Sequence, residues 1–175
     1  MRRSASLLAL FVATALASFS PRALSDELPE YRLKAAFLYN FALFTDWPSD
    51  VGPTLNLCIY GHDPFGPEID GLEGKAVGDR HIAVHRSTTL ESLRVCQVVF
   101  VAASPAGGLP RVIASLRDAA VLTVADSPGA VDQGAALNMS VVNGRITFEA
   151  NLEAARSAKL NLSSKLLRLA TEVRQ

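Results

Sequence analysis

Two short uncharged runs, Gln97-Val98-Val99-Phe100-Val101 and Ala120-Val121-Leu122-Thr123-Val124-Ala125, restrict the fold more than any other feature of this chain. A strand buried on one face alternates apolar and polar residues, whereas a run apolar at almost every position needs cover on both faces. Both runs are of strand length and too short for independent helices. Between them a helix is expected from Leu109 to Asp118, so strand, helix and strand alternate as in a parallel sheet layered by helices.

Elements on either side extend the pattern. From Glu27 to Phe44 apolar residues recur at helical spacing, with Leu33, Phe37, Leu38, Phe41 and Phe44 expected on one face and Trp47-Pro48 closing the segment. Residues Leu55 to Gly61 read as a strand, Pro64 to Leu72 as a short helix, His81 to His85 as a strand and Thr89 to Leu93 as one helical turn. Near the carboxyl end, Leu137–Val142 and Arg145–Glu149 flank Asn143-Gly144, a pair suited to the positive φ angles of a type I′ turn, and so predict a β-hairpin. A short helix over Leu152–Ala158, a strand over Lys159–Leu162 and a terminal helix over Lys165–Val173, capped by Ser163-Ser164, complete the reading. The expectation is a three-layer, Rossmann-like α/β fold: a mostly parallel sheet of about five or six strands covered by helices, with the hairpin near the end.

The first residues bound the compartment. Arg2 and Arg3 precede an apolar stretch from Leu7 to Phe19, the pattern of a secretory signal, and Ala23 and Ser25 suit cleavage after Ser25, with Ala15-Leu16-Ala17 an earlier alternative. That divides the chain into a signal peptide, 1–25, and a single domain, 26–175, of ordinary size for one core. No cysteine sits at the cut, so no lipid anchor is expected, and no later apolar run is long enough to span a bilayer. The expected product is periplasmic and soluble. It carries 14 basic and 17 acidic side chains, a net charge of −3, which argues against nucleic-acid binding. Its two cysteines, Cys58 and Cys96, are expected to pair in an oxidising compartment.

Motifs of catalysis and cofactor binding are weak. Gly61-His62-Asp63-Pro64-Phe65-Gly66 follows a strand, but it lacks both the Lys-Ser/Thr of a P-loop and the G-x-G-x-x-G spacing, and reads as a turn. His81 and His85 share one face of a strand, yet spacing alone does not make a metal site, and none is expected. No nucleophile elbow or zinc-protease motif is present, so no catalytic residue and no cofactor are assigned. Asp126-Ser127 follows the fourth strand, where ligands bind in open α/β sheets, and reads first as a turn before Pro128-Gly129. Glu149, beside Phe148 and followed by Asn151, reads first as a solvated strand end.

Several segments together resemble the YfiR family of periplasmic regulators. They are Lys34-Ala35-Ala36-Phe37-Leu38-Tyr39-Asn40-Phe41 ahead of Trp47-Pro48; Leu57-Cys58-Ile59-Tyr60-Gly61; Cys96 beside an apolar strand; Val121–Asp126 with Pro128-Gly129; Asn143–Glu149; and Leu160–Ala170 around Ser163-Ser164. They cover nearly the whole mature chain in order. The resemblance implies an inhibitor that docks on the periplasmic sensor part of an inner-membrane diguanylate cyclase, lowering cyclic di-GMP and biofilm formation. It also implies release by an outer-membrane lipoprotein or by loss of disulfides, and a homodimer. Cys58 and Cys96 match one disulfide of the best-known system; a second pair, near Ala130 and Leu137, has no counterpart.

By the same resemblance Glu149 matches a position of the partner-binding patch. Apolar contacts around Phe148 and the terminal helix, with Arg145, Glu149 and Asn151 beside them, make the expected partner surface. Two rivals remain: a small-molecule-binding module feeding a membrane receptor or sensor kinase, with its ligand near His62 and Asp126, and an envelope hydrolase using the same residues.

Overall fold

The computed structural model describes residues 27–103 and 108–175; the expected signal segment, 1–25, lies outside them. In chain order the elements are α1 (Glu27–Leu43), β1 (Thr45–Asp46), β2 (Thr54–Tyr60), α2 (Pro67–Asp70), β3 (Ala76–Val77), β4 (Arg80–Ser87) and a 3₁₀ turn (Glu91–Val95). Then follow β5 (Val98–Val101), α3 (Gly108–Ser115), β6 (Leu122–Ala125), β7 (Leu137–Val142), β8 (Arg145–Asn151), α4 (Leu152–Ser157), β9 (Asn161–Leu162), α5 (Ser164–Leu167) and β10 (Glu172–Arg174).

The two apolar runs become β5 and β6, buried at every position. They lie side by side in parallel, Val98 against Leu122 and Val101 against Ala125. Because alternate residues point to opposite faces, each run feeds two cores. Val98, Phe100, Leu122 and Val124 join the core under α1, while Val99, Val101, Val121 and Ala125 join the core under α3.

The sheet has eight strands in the order β10-β8-β7-β6-β5-β2-β4-β3, and it is mixed. That corrects the expected five or six mostly parallel strands. Two pairs are antiparallel, β7 with β8 and β3 with β4 at one edge, while β10 adds to β8 in parallel at the other edge. The extra strands are short and were invisible to periodicity, since two or three residues carry no repeat. The terminal helix is also corrected. Ser163 caps α5 as expected, its Oγ accepting from Leu166 N at 3.3 Å. The helix nevertheless ends at Leu167, and Glu172–Arg174 pair in parallel with Glu149–Asn151. Thr171 begins the change by donating its N–H to the Phe148 carbonyl at 2.9 Å.

Helix α1 buries Lys34, Ala35, Leu38, Phe41 and Ala42, a stripe at three- and four-residue spacing. Leu33, expected on that stripe, is 50 % exposed. The stripe is centred one position on because Lys34 reaches inward to a charge on the sheet. Phe41 packs edge-on against Phe148 of β8 with ring centroids 5.1 Å apart, fixing the helix over the hairpin strands. The hairpin turn takes the predicted form, with φ of 51° at Asn143 and 73° at Gly144.

Cys58, on β2, is bonded to Cys96, just before β5. Both are buried in the core beneath α3. The bond closes a loop with a sequence separation of 38, which holds the β2–β4 half of the sheet and the 3₁₀ turn together. A closed loop of that length stabilises by about 4 kcal/mol on the chain-entropy account. Replacing both cysteines by alanine is therefore expected to lower the unfolding free energy by about that amount in urea titration, and an unchanged midpoint would refute it.

Candidate functional site

Two places deserve a functional reading: a charged cluster where β5 and β6 end, and the hairpin of β7 and β8. The cluster centres on Asp126, the residue after β6. One carboxylate oxygen accepts from Tyr31 Oη at 3.0 Å and from Lys34 Nζ at 2.8 Å; the other accepts from the Ala103 backbone N–H at 2.9 Å. Lys34 also meets Glu30, one helical turn earlier, at 2.5 Å, and lies over the Tyr31 ring, 4.4 Å from its centroid. The Lys34 and Asp126 side chains are 5 % and 2 % exposed.

Such a pair must be fully hydrogen-bonded to be tolerated, and Asp126 has three donors. Burial, then the Asp126 charge, pushes the Tyr31 hydroxyl up to about 12. Burial works against the Lys34 ammonium, but hydrogen bonds to Asp126 and Glu30 outweigh it and hold its pKa above the ordinary value. Asp126 is thereby consumed as a structural anchor tying α1 to the sheet. His62, its partner in both rival readings, is exposed and makes no bond with it. The sequence showed Asp126 but not its partners. The signal was present at Lys34: it stands four and seven positions before Leu38 and Phe41, on the apolar stripe itself.

Raised pKa values mean that the folded chain holds these protons more tightly than the unfolded one, so the stability they confer is intact below pH 10 and is lost as pH rises through about 12. Alkaline unfolding is expected to begin in that window, and Tyr31→Phe to blunt it. Asp126→Asn strands the buried lysine and is expected to cost about 3–5 kcal/mol in chemical denaturation. A cost under about 1 kcal/mol would show that the cluster is not an anchor.

The histidines do not converge. His81 and His85 are four residues apart on β4, about 13 Å at strand rise, too far to share an ion. Their rings are engaged separately, His81 Nε2 with Thr54 Oγ1 at 3.2 Å and His85 Nε2 with Asn56 Oδ1 at 3.0 Å. Among the described residues no three ligating side chains come together around a metal position. A groove of about 580 Å³ runs between the end of α3 and α4, with Leu116, Val121, Val131 and Ala154 in its lining; neither His62 nor Asp126 lines it.

The hairpin carries the residues expected to meet a partner, and the structure separates them. Phe148 is 2 % exposed, packed on Phe41 and 6.1 Å from the Phe37 ring centroid; it is a core residue and not a contact. The expectation failed because strand alternation turns Phe148 toward α1 and its neighbours away. Asn151 caps α4, its Oδ1 accepting from Ala154 N at 2.9 Å while its amide donates to the Val131 carbonyl at 3.0 Å, so its role is structural.

Glu149 and Arg145 lie on the face away from α1. Arg145 is exposed near the turn; Glu149 is half-buried and accepts from the amide of buried Asn138 at 3.2 Å. Glu172 of β10 stands beside it in register. Apolar surface at this end comes from residues that pattern reading passed over: Val141 and Val142, 47 % and 50 % exposed, with half-buried Ile146 opposite Val141. Two adjacent valines before Asn143-Gly144 put one apolar side chain on each face of the ribbon tip, and that was the legible signal.

The chain is a small disulfide-bonded α/β domain built on a mixed eight-stranded sheet. The chain belongs to the family described as DUF4154, YfiR/HmsC-like, which matches residues 31–171. No curated protein matches it. Among solved structures, it is similar to a conserved domain protein from Vibrio cholerae (9 % identity, TM-score 0.57) and to the ABC domain from Streptococcus pneumonia in complex with L-Trp (8 % identity, TM-score 0.52). In both cases the match covers 82 % of this chain and 60 % of the other, so the chain spans less than two thirds of those structures, and the likeness is one of fold. None of the helices in the described residues is long and apolar enough to cross a membrane.

Proposed function

We propose that the protein is a periplasmic inhibitor that binds the periplasmic part of an inner-membrane diguanylate cyclase and holds it in its inactive arrangement, lowering cyclic di-GMP and with it biofilm formation. Membership of the YfiR/HmsC-like family over residues 31–171 carries this reading. A disulfide in the core fits an exported chain, and the exposed hairpin end supplies apolar surface with charged neighbours for register. Sequestration by an outer-membrane lipoprotein, and a homodimer, belong to the same proposal.

Inhibition requires tighter binding to the inactive arrangement than to the active one, since equal affinity shifts nothing. A hundredfold shift needs about 2.7 kcal/mol of difference, within reach of a few well-packed valines and one charge pair. Tagged mature protein is expected to retain a diguanylate cyclase from detergent-solubilised membranes, less of it after reduction. Recovery of an unrelated receptor, or of none, would contradict the proposal. Glu149→Lys is expected to weaken the complex about tenfold, the loss of one favourable charge contact and its replacement by a repulsive one.

A further inference from the structure

We infer that the outer edge of β7 at Val141 is a strand-addition site for an extended, apolar segment of the receptor. This rests on the proposed inhibitor function and adds the mode of contact to it.

The backbone carries the argument. Strands β7 and β8 are in register from Leu137 opposite Ala150 to Val142 opposite Arg145. Asn151 N donates to the Ala136 carbonyl at 2.8 Å, and in an antiparallel pair the residues bonded across the ribbon alternate with residues whose N–H and C=O turn outward. Asn138, Ser140 and Val142 therefore bond within the hairpin, whereas Leu137, Met139 and Val141 face the outer edge. β8 keeps the same alternation, for the Phe148 carbonyl faces out and accepts from Thr171 N. β6 covers the outer edge of β7 only at Leu137 and Asn138. Beyond that the chain leaves the sheet at Asp126, held aside by Lys34 and Tyr31. Among the described residues no strand lies against Val141.

Other free edges of this sheet are guarded. On β4 the Glu73 carboxylate takes the Val84 N–H at 2.7 Å, and β10 carries Glu172 and Arg174 within its three residues. From Met139 to Gly144 there is no charge and no proline, and the exposed valines lie on opposite faces. Natural sheets avoid such an edge unless something pairs with it. An added strand satisfies the Val141 N–H and C=O and sets its own alternate side chains against Val141 on one face and Val142 on the other. The exposed valines select an apolar segment, and Arg145, across from Val142, is the charge beside it.

The test is titration of the mature chain with the purified periplasmic region of the retained cyclase, read by affinity and by amide hydrogen exchange. Val141→Pro removes the outward N–H and leaves the hairpin's own bonds in place; Val141→Thr keeps that N–H. The proline variant is expected to lose about tenfold in affinity, the threonine variant no more than about threefold, and the Val141 amide to exchange slowly in the wild-type complex. Unchanged affinity of Val141→Pro, with fast exchange at Val141, overturns strand addition and leaves the inhibitor reading standing. No binding by the wild type overturns the inhibitor reading itself. Loss of self-association in Val141→Pro at unchanged cyclase affinity assigns the edge to a second copy and also overturns the proposal. If the proline variant fails to fold, exchange in the wild-type complex decides alone: protection at Val141 supports strand addition and free exchange refutes it.

Discussion

The ion pair between Lys34 and Asp126 holds the architecture together at its most demanding point. Helix α1 is the long helix covering this core, with Ala155, Leu160, Leu162 and Leu166 of the carboxyl-terminal segment beside it, and its grip is apolar and undirected: Leu38, Phe41 and Ala42 against the sheet. Dispersion and burial supply most of the free energy but set no unique angle. The Asp126 carboxylate, taking donors from α1 and from the chain after β5, fixes where the helix begins relative to the strand ends. Its cost is a buried charge that tolerates no missing partner. The same residue turns the chain out of the sheet, which is why β7 runs on past β6 uncovered. Anchor and hairpin are thus one structural fact seen from two sides.

How legible this was depended on the length of each signal. The apolar runs at Val98–Val101 and Leu122–Ala125 announced buried strands, and both faces of each are in fact packed. Asn143-Gly144 announced the hairpin and its positive φ angles. Asn161–Leu162 fell within the strand expected over Lys159–Leu162, but the small strands β1, β3 and β10 were illegible because they owe their existence to neighbours and not to local pattern; β10 forms where Thr171 finds the Phe148 carbonyl. At the surface, Glu149 and Arg145 stand on the face away from α1 and belong to the proposed contact, but Phe148 was taken for a contact on its chemistry, when one step of strand alternation puts it in the core. Val141 and Val142 were passed over because they were read only as hairpin strand and never weighed as surface.

The sheet ends serve different purposes. The end that holds ligands in many open α/β folds is closed here by Tyr31, Lys34 and Asp126, and the histidine near it, His62, stays on the surface. Under the proposed function, recognition falls to the ribbon of β7 and β8, whose root is stiffened by Phe148 packed edge-on against Phe41. A stiff root with a bare tip suits a protein whose work is to bind another, because little order is lost when the contact forms. The disulfide lies in the opposite core, beneath α3, away from that ribbon. Under the proposed function, reduction is expected to act on binding through the stability of the whole domain and not by reshaping the contact.

The most direct test of this account is the rate of cyclic di-GMP synthesis by the full-length cyclase, reconstituted in lipid vesicles with its periplasmic part accessible, as oxidised mature protein is added. The account predicts a saturable fall in rate that disappears when the protein is added to the other side of the bilayer. A rate unchanged at concentrations that saturate binding would contradict it: the protein would then be a partner of the cyclase and not its inhibitor.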